Sequence, residues 1–92
     1  MPETFEWDED KNQENQEKHK LSFEQAQMIF ADPNLLLLKD ERHSTPKEER
    51  FYAIGRIQEG IVTVRFTVRN GTIRIFGAGF WSKYRKWYVD RV

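Results

Sequence analysis

The chain has 92 residues, 38% hydrophobic, 14% aromatic and 33% charged, with 15 cations balancing 15 anions and no cysteine. That length suits one domain over 1–92 and leaves no room for a second core, while the aromatic content argues for a packed interior despite a mean hydropathy of −0.82. The missing cysteines exclude a disulfide framework, a thiol nucleophile and a thiolate zinc site, and make a reducing cytoplasm the expected setting.

The segment Met1-Pro2-Glu3-Thr4-Phe5-Glu6-Trp7 has neither the basic nor the apolar region of a secretory leader. The longest apolar run, Leu35–Leu38, is too short to span a bilayer, so secretion and membrane insertion are not expected. From Trp7-Asp8 to His19 the chain is very polar, with Asp8 placed to cap a helix and Glu9 and Asp10 at its positive end; a short exposed helix is expected. Ser22 offers a second N-cap, and Phe23, Ala26, Ile29 and Phe30 recur at helical spacing until Asp32-Pro33-Asn34 stops the segment. Leu35 to Lys39 reads as a buried strand, followed by a charged loop, Asp40 to Lys47, containing His43 and Pro46.

From Glu49 the pattern is β: Arg50 to Ile57, a turn at Glu59-Gly60, Ile61 to Arg69, the hairpin dipeptide Asn70-Gly71, then Thr72 to Ala78. The remainder, Phe80 to Arg91, is basic, aromatic and free of Gly and Pro, and predicts a C-terminal helix. The expected class is α+β: two N-terminal helices, an antiparallel four-stranded sheet with room for a short extra N-terminal strand, and a C-terminal helix.

The turns fix registers. A two-residue Asn70-Gly71 loop pairs Arg69 with Thr72 and Phe66 with Ile75, and a two-residue Glu59-Gly60 loop pairs Ile57 with Val62 and Ala53 with Phe66. Phe51, Ala53, Ile57, Val62, Val64, Phe66, Val68, Ile73 and Ile75 then share an apolar face. The other face collects Arg50, Tyr52, Ile54, Arg56, Thr63, Arg65, Thr67, Arg69, Thr72 and Arg74. Beyond residue 50 the only acids are Glu59 and Asp90, so these arginines lack local neutralisers and suit the phosphates of a polyanion. The competing explanation is an ordinary polar sheet face whose arginines pair with carboxylates from neighbouring elements.

The stretch Trp81-Ser82-Lys83-Tyr84-Arg85-Lys86-Trp87-Tyr88 interleaves rings and cations, which suits stacking on unpaired bases. On a helix, Trp81, Tyr84 and Tyr88 share one face, so packing accounts for part of that cluster. Asp8-Glu9-Asp10-Lys11-Asn12 begins like a calcium loop, but Gln13 stands where the turn glycine is needed and His19 where the bidentate glutamate belongs. With His19 and His43 the only histidines, a zinc site is not expected, and phosphate-loop and dinucleotide fingerprints do not occur. No cofactor is expected.

Several blocks together resemble a known family. They are Phe5-Glu6-Trp7-Asp8; Asn15 with Lys18-His19; Leu21-Ser22-Phe23-Glu24 with Ala26; Phe30; Asp32-Pro33; Glu41-Arg42-His43; Glu49-Arg50-Phe51; Ile54-Gly55; and Thr67-Val68-Arg69. Their order and spacing are similar to the BrnT toxins. The resemblance implies a RelE-like fold and a toxin of a type II toxin-antitoxin system, an endoribonuclease that cuts RNA and inhibits bacterial growth under stress. It further implies a BrnA-like antitoxin with a ribbon-helix-helix domain as partner, and promoter DNA reached only through the antitoxin complex. Many members carry a Ser-Ala-Arg-Arg-Ala-Ser type of segment where this chain has Gly77-Ala78-Gly79-Phe80-Trp81-Ser82, which removes two arginines. A subset with Gly-Ala-Gly-Tyr-Trp-Arg-Lys is nearer, and gives Trp81, Lys83, Lys86 and Tyr88 counterparts. Lys20 stands where a glycine is usual.

The reaction such a toxin implies is metal-independent attack of the 2′-hydroxyl on the adjacent phosphorus. Arg50 and Arg74 are the expected phosphate stabilisers, with Arg65 and Lys83 as positioning cations. Proton transfer falls to His19, His43, Glu49 or Tyr88, with no order among them. Arg56, Arg65, Arg69, Trp81, Arg85 and Lys86 are the expected RNA-binding residues. The missing arginine pair motivates an alternative, a non-catalytic RNA- or DNA-binding or regulatory module.

Overall fold

A computed structural model describes residues 4–91, with Arg91 in backbone only. Met1, Pro2, Glu3 and Val92 lie outside the described residues, and with them the start of the N-terminal segment read above. Phe5–Trp7 forms a strand, β1, and the N-cap carboxylate of Asp8 accepts the Asp10 and Lys11 amides to start α1, Glu9–His19. Lys20 closes α1 in the left-handed conformation, at φ 56°, and its N–H donates to the Gln16 carbonyl. A lysine thus occupies the position where glycine is usual.

Ser22 and Gln25 make a reciprocal capping box for α2, Phe23–Ala26, and the chain then tightens into a 3₁₀ turn, Gln27–Ala31. The single helix expected here is therefore split. The tighter turn tucks Ile29 against the sheet, so close that a Cβ built on Gly55 would lie 2.8 Å from the Ile29 Cβ. Strands β2, Leu36–Lys39, β3, Arg50–Ile57, β4, Gly60–Arg69, and β5, Thr72–Gly79, follow, and α3, Ser82–Arg91, ends the described chain.

Among the described residues the sheet has five strands, in the order β1-β5-β4-β3-β2. Four run as an antiparallel meander, as expected, but β1 pairs in parallel with β5, so the sheet is mixed. The Asn70-Gly71 register is the expected one: both residues take positive φ, 51° and 77°, and Arg69 faces Thr72. The other hairpin turns one residue earlier, at Gln58-Glu59, pairing Ile57 with Gly60 and Ala53 with Val64. Gly60 follows the turn at φ 142°, a conformation that side chains rarely accept. The partner sequence shifts by two, which leaves every side chain on its expected face.

A bulge breaks the β4–β5 register: Phe66 faces Ile75 while Arg65 faces Gly77, leaving Phe76 over. It reverses the faces beyond it, so Ala78 rather than Gly77 points into the core. That core joins Leu21, Phe23, Ala26 and Ile29 to Val62, Val64, Phe66, Ile73 and Ile75. Burying a side chain such as Phe23 contributes about 1.5–3 kcal/mol. The opposite face is not the open, arginine-lined surface expected. Helix α3 covers its middle, packing the Tyr84 ring at a tilt on Tyr52 at 4.7 Å and burying Tyr88 against Ile54 and Ile61. An apolar centre made of Ile54, Leu36 and Leu38 requires that cover.

Candidate functional site

Helix α1 carries almost no apolar residues, and two buried asparagines hold it in place. Asn12 accepts the Phe23 N–H at 2.8 Å and donates to Glu24 at 2.8 Å. Asn15 donates to the Leu21 carbonyl at 2.8 Å and accepts the Ala78 N–H at 3.2 Å. So anchored beside β5, the helix turns Lys11, Asn15 and Lys18, spaced along one face, toward the sheet.

A cavity of about 350 Å³ opens there. Lys11, Glu14, Asn15, Lys18 and His19 form its helical wall; Arg50, Arg65, Phe76 and Gly77 form the sheet side; Trp81 closes the end. Lys11, Lys18, Arg50 and Arg65 supply its cations, against the single carboxylate of Glu14. Phe76, at the bulge, lines this space, with the Arg50 guanidinium carbon 4.4 Å and the Lys11 ammonium 5.6 Å from its ring centroid. His19 meets Trp81 edge-on at 5.4 Å, joining the end of α1 to the start of α3.

The arginines differ in what neutralises them. Glu48 accepts from Arg50 at 3.1 Å and from Arg69 at 2.6 Å, and the Arg69 guanidinium first, with Arg50 behind it, holds that carboxyl below its ordinary range. Arg74 reaches Glu6 of β1 at 3.4 Å. The expectation of arginines without local acids thus fails for these three, because the loop before β3 and the added strand β1 bring carboxylates. Among the described residues Arg65 makes no ion pair, and it lies along Gly77, where a Cβ would stand 3.3 Å from Nη2.

A smaller hollow adjoins the cavity and shares Arg50, Arg65 and Phe76 with it; Asp40 and His43 line its far side. The His43 ring Nδ1 lies 2.8 Å from Asp40 Oδ2, and the His43 backbone N–H donates to Asp40 Oδ1 at 3.3 Å. Burial alone would raise the Asp40 carboxyl, but the hydrogen bonds from the His43 ring and backbone outweigh it and hold the group below its ordinary value. Tyr52, packed on Tyr84 and facing Asp40, is pushed up to about 12, by the Tyr84 hydroxyl first and by burial second.

Of the residues expected to act, the structure brings together His19, His43, Arg50, Arg65 and Trp81. The others lie elsewhere. Glu49 is exposed and pairs with Lys39 at 3.3 Å. Arg74 and Arg69 are tied as above, and the Arg56 backbone N–H donates to Asp32 at 2.7 Å, on the Tyr88 side of the sheet. Lys83 sits 5.5 Å from the Tyr84 ring, and Arg85 and Lys86 project from α3. Tyr88 is 2% exposed and donates to Asp32 at 2.6 Å, which makes it part of the α3 packing.

Lys11, Lys18, Phe76 and Asp40 also line the site and are not among the residues expected to act. The lysines share a helical face that could have been counted, and Asp40 stands three residues before His43. Phe76 continues the alternation of Thr72 and Arg74 onto the arginine face, where it too could have been counted. Among the described residues no three His, Asp or Glu gather as a metal site, and no helix is long and apolar enough to cross a membrane.

No curated protein matches this chain in sequence. A family model described as the ribonuclease toxin BrnT of type II toxin-antitoxin systems matches residues 7–84, which takes in both walls of the cavity, the bulge and the Asp40–His43 pair. The chain belongs to the BrnT family of ribonuclease toxins of type II toxin-antitoxin systems.

Proposed function

We propose that this chain is a cytoplasmic, metal-independent endoribonuclease with a RelE-like fold. It arrests growth until a BrnA-like ribbon-helix-helix antitoxin binds it, and reaches promoter DNA only within that complex. One observation carries the RNA reading: four cations from three separate elements converge on one cavity lined by the single carboxylate of Glu14, and among the described residues only Arg50 of the four is also held by an acid outside it, Glu48, with two aromatic rings beside them. Phosphate oxygens suit the forked donors of Arg50 and Arg65, and the faces of Phe76 and Trp81 suit unpaired bases. In the reaction, the 2′-oxygen attacks phosphorus while these cations stabilise the negative charge that gathers on the phosphorane. One well-aimed donor of this kind lowers the barrier by about 3–4 kcal/mol.

The test is incubation of the purified protein with RNA in excess chelator, followed by analysis of the new ends. Cleavage to a 2′,3′-cyclic phosphate and a 5′-hydroxyl, undiminished by chelation, is the expected result. Binding without cleavage would establish the non-catalytic alternative, and cleavage that chelation abolishes would contradict metal independence.

A further inference from the structure

We infer that Asp40 and His43 form the proton-transfer pair of this ribonuclease, with His43 the general base that touches the substrate and Asp40 the positioning residue behind it. The inference rests on the RNA-cleaving reading above and adds which residue moves the proton and what orients it.

The geometry dictates the division of labour. Asp40 offers two oxygens to His43: Oδ1 takes the backbone N–H at 3.3 Å and Oδ2 faces ring Nδ1 at 2.8 Å. An ionised carboxylate only accepts, so Nδ1 must carry the hydrogen, and the lone pair then resides on Nε2, on the side of the ring away from Asp40. The carboxylate is fixed independently of the ring. Asp40 is buried, its backbone N–H donates to the Arg50 carbonyl at 2.7 Å, and its own carbonyl accepts the Ser44 hydroxyl at 2.7 Å. The His43 side chain, by contrast, is 50% exposed against 9% for Asp40, so the imidazole can meet a ligand while its orienter stays dry. The other groups facing the pair are Arg50 from β3, Arg65 from β4 and Tyr52, with Tyr84 of α3 behind Tyr52. The two arginines line both the hollow that holds His43 and the large basic cavity, which sets a phosphate bound by them beside the imidazole.

The step balances without a further reagent except water. His43 Nε2 accepts the 2′-hydroxyl proton as the 2′-oxygen bonds to phosphorus. The bond from phosphorus to the 5′-oxygen breaks, that oxygen takes a proton from water, and His43 returns its proton to solvent. His19, at the far end of the cavity, packs its ring on Trp81 and takes no part in this step.

Two variants and one spectrum test it. In Asp40→Asn a single carbonyl oxygen remains. If it keeps the His43 backbone N–H, the amide NH₂ faces Nδ1 and forces the hydrogen onto Nε2, the wrong tautomer for a base. The expected result is a fall in kcat of about 10²-fold or more with KM for RNA within roughly threefold, since the phosphate-binding arginines are untouched. The ¹⁵N spectrum of the histidine rings, recorded without RNA, is expected to show the Nδ1–H tautomer at His43 in the wild type and its loss in Asp40→Asn. His43→Gln, a change at an exposed loop residue, is expected to lose about 10²–10⁴-fold in kcat, and decides the matter even where Asp40→Asn fails to fold. Wild-type cleavage with His43→Gln equally active would overturn the inference and leave the ribonuclease reading standing. An Nε2–H tautomer at His43 in the wild type would overturn it as well. A wild-type protein that cuts no RNA would overturn both.

Discussion

Arg65 occupies the space that a side chain at Gly77 would claim, its Nη2 only 3.3 Å from where that Cβ would be. The missing side chain keeps a guanidinium without an ion pair among the described residues flat against β5, facing Lys11 and Lys18 across the cavity. Arg65→Ala is expected to cost about 10²–10³-fold in kcat/KM on RNA, with folding stability changed by less than about 1 kcal/mol because the residue is exposed. Gly77→Val is expected to displace the guanidinium and reproduce much of that loss. Steady-state kinetics alongside urea denaturation separate the two effects.

Asn15 ties α1 to both the Leu21 carbonyl and the Ala78 amide. Asn15→Ala leaves a buried donor and acceptor without partners, and a destabilisation of about 2–4 kcal/mol is expected. Urea midpoints measure it, and amide exchange is expected to rise first along Glu9–His19.

Lys20 sits at φ 56°, where a side chain is strained and glycine is not. Lys20→Gly is expected to raise stability by about 0.5–1 kcal/mol, read as a higher thermal midpoint.

The Asp32–Tyr88 bond makes stability depend on pH. Burial alone would raise the Asp32 carboxyl, but the Tyr88 hydroxyl and the Asn34 and Arg56 amides outweigh it, so its folded value lies below the ordinary one. A depressed carboxyl stabilises the fold above its unfolded pKa of about 4, and that contribution is lost as pH falls through the folded value. Tyr88→Phe is expected to cost about 1–2 kcal/mol at neutral pH, with the difference from wild type shrinking below about pH 4. At the alkaline end the sign reverses. Tyr52, raised to about 12, contributes stability that is intact below about pH 10 and lost as pH climbs through its folded value. Denaturation at a series of pH values checks both ends.

The elements were legible where local chemistry determines them: the caps at Asp8 and Ser22, the Asn70-Gly71 turn, the alternation along β3 and β4. What escaped depends on contacts across the fold. For strand β1 the sequence leaves only room for an extra strand, because three residues carry no periodicity and its pairing is supplied by distant β5. The sequence predicts a Glu59-Gly60 turn, one residue later than the observed Gln58-Glu59, since Gly60 at positive φ fits either loop. The bulge at Phe76 leaves no trace in the alternation of Ile73 and Ile75, yet it decides that Ala78 enters the core while Gly77 lies against Arg65. At the site, charge alone points to Arg50 and Arg65 and equally to Arg69 and Arg74, which the fold ties elsewhere. The carboxylates that neutralise those two, on Glu48 and Glu6, lie 21 and 68 residues away in sequence. Helical spacing predicts packing for the rings of Trp81, Tyr84 and Tyr88 alike, and the structure takes Trp81 off that face by starting α3 at Ser82.

The most direct test of the central claim is an NMR titration with a short RNA protected from cleavage by 2′-O-methyl groups. Binding in the cavity predicts salt-sensitive shifts at Lys11, Lys18, Arg50, Arg65, Phe76 and Trp81. Shifts confined to Arg56, Arg85 and Lys86, or no shifts at all, would contradict it.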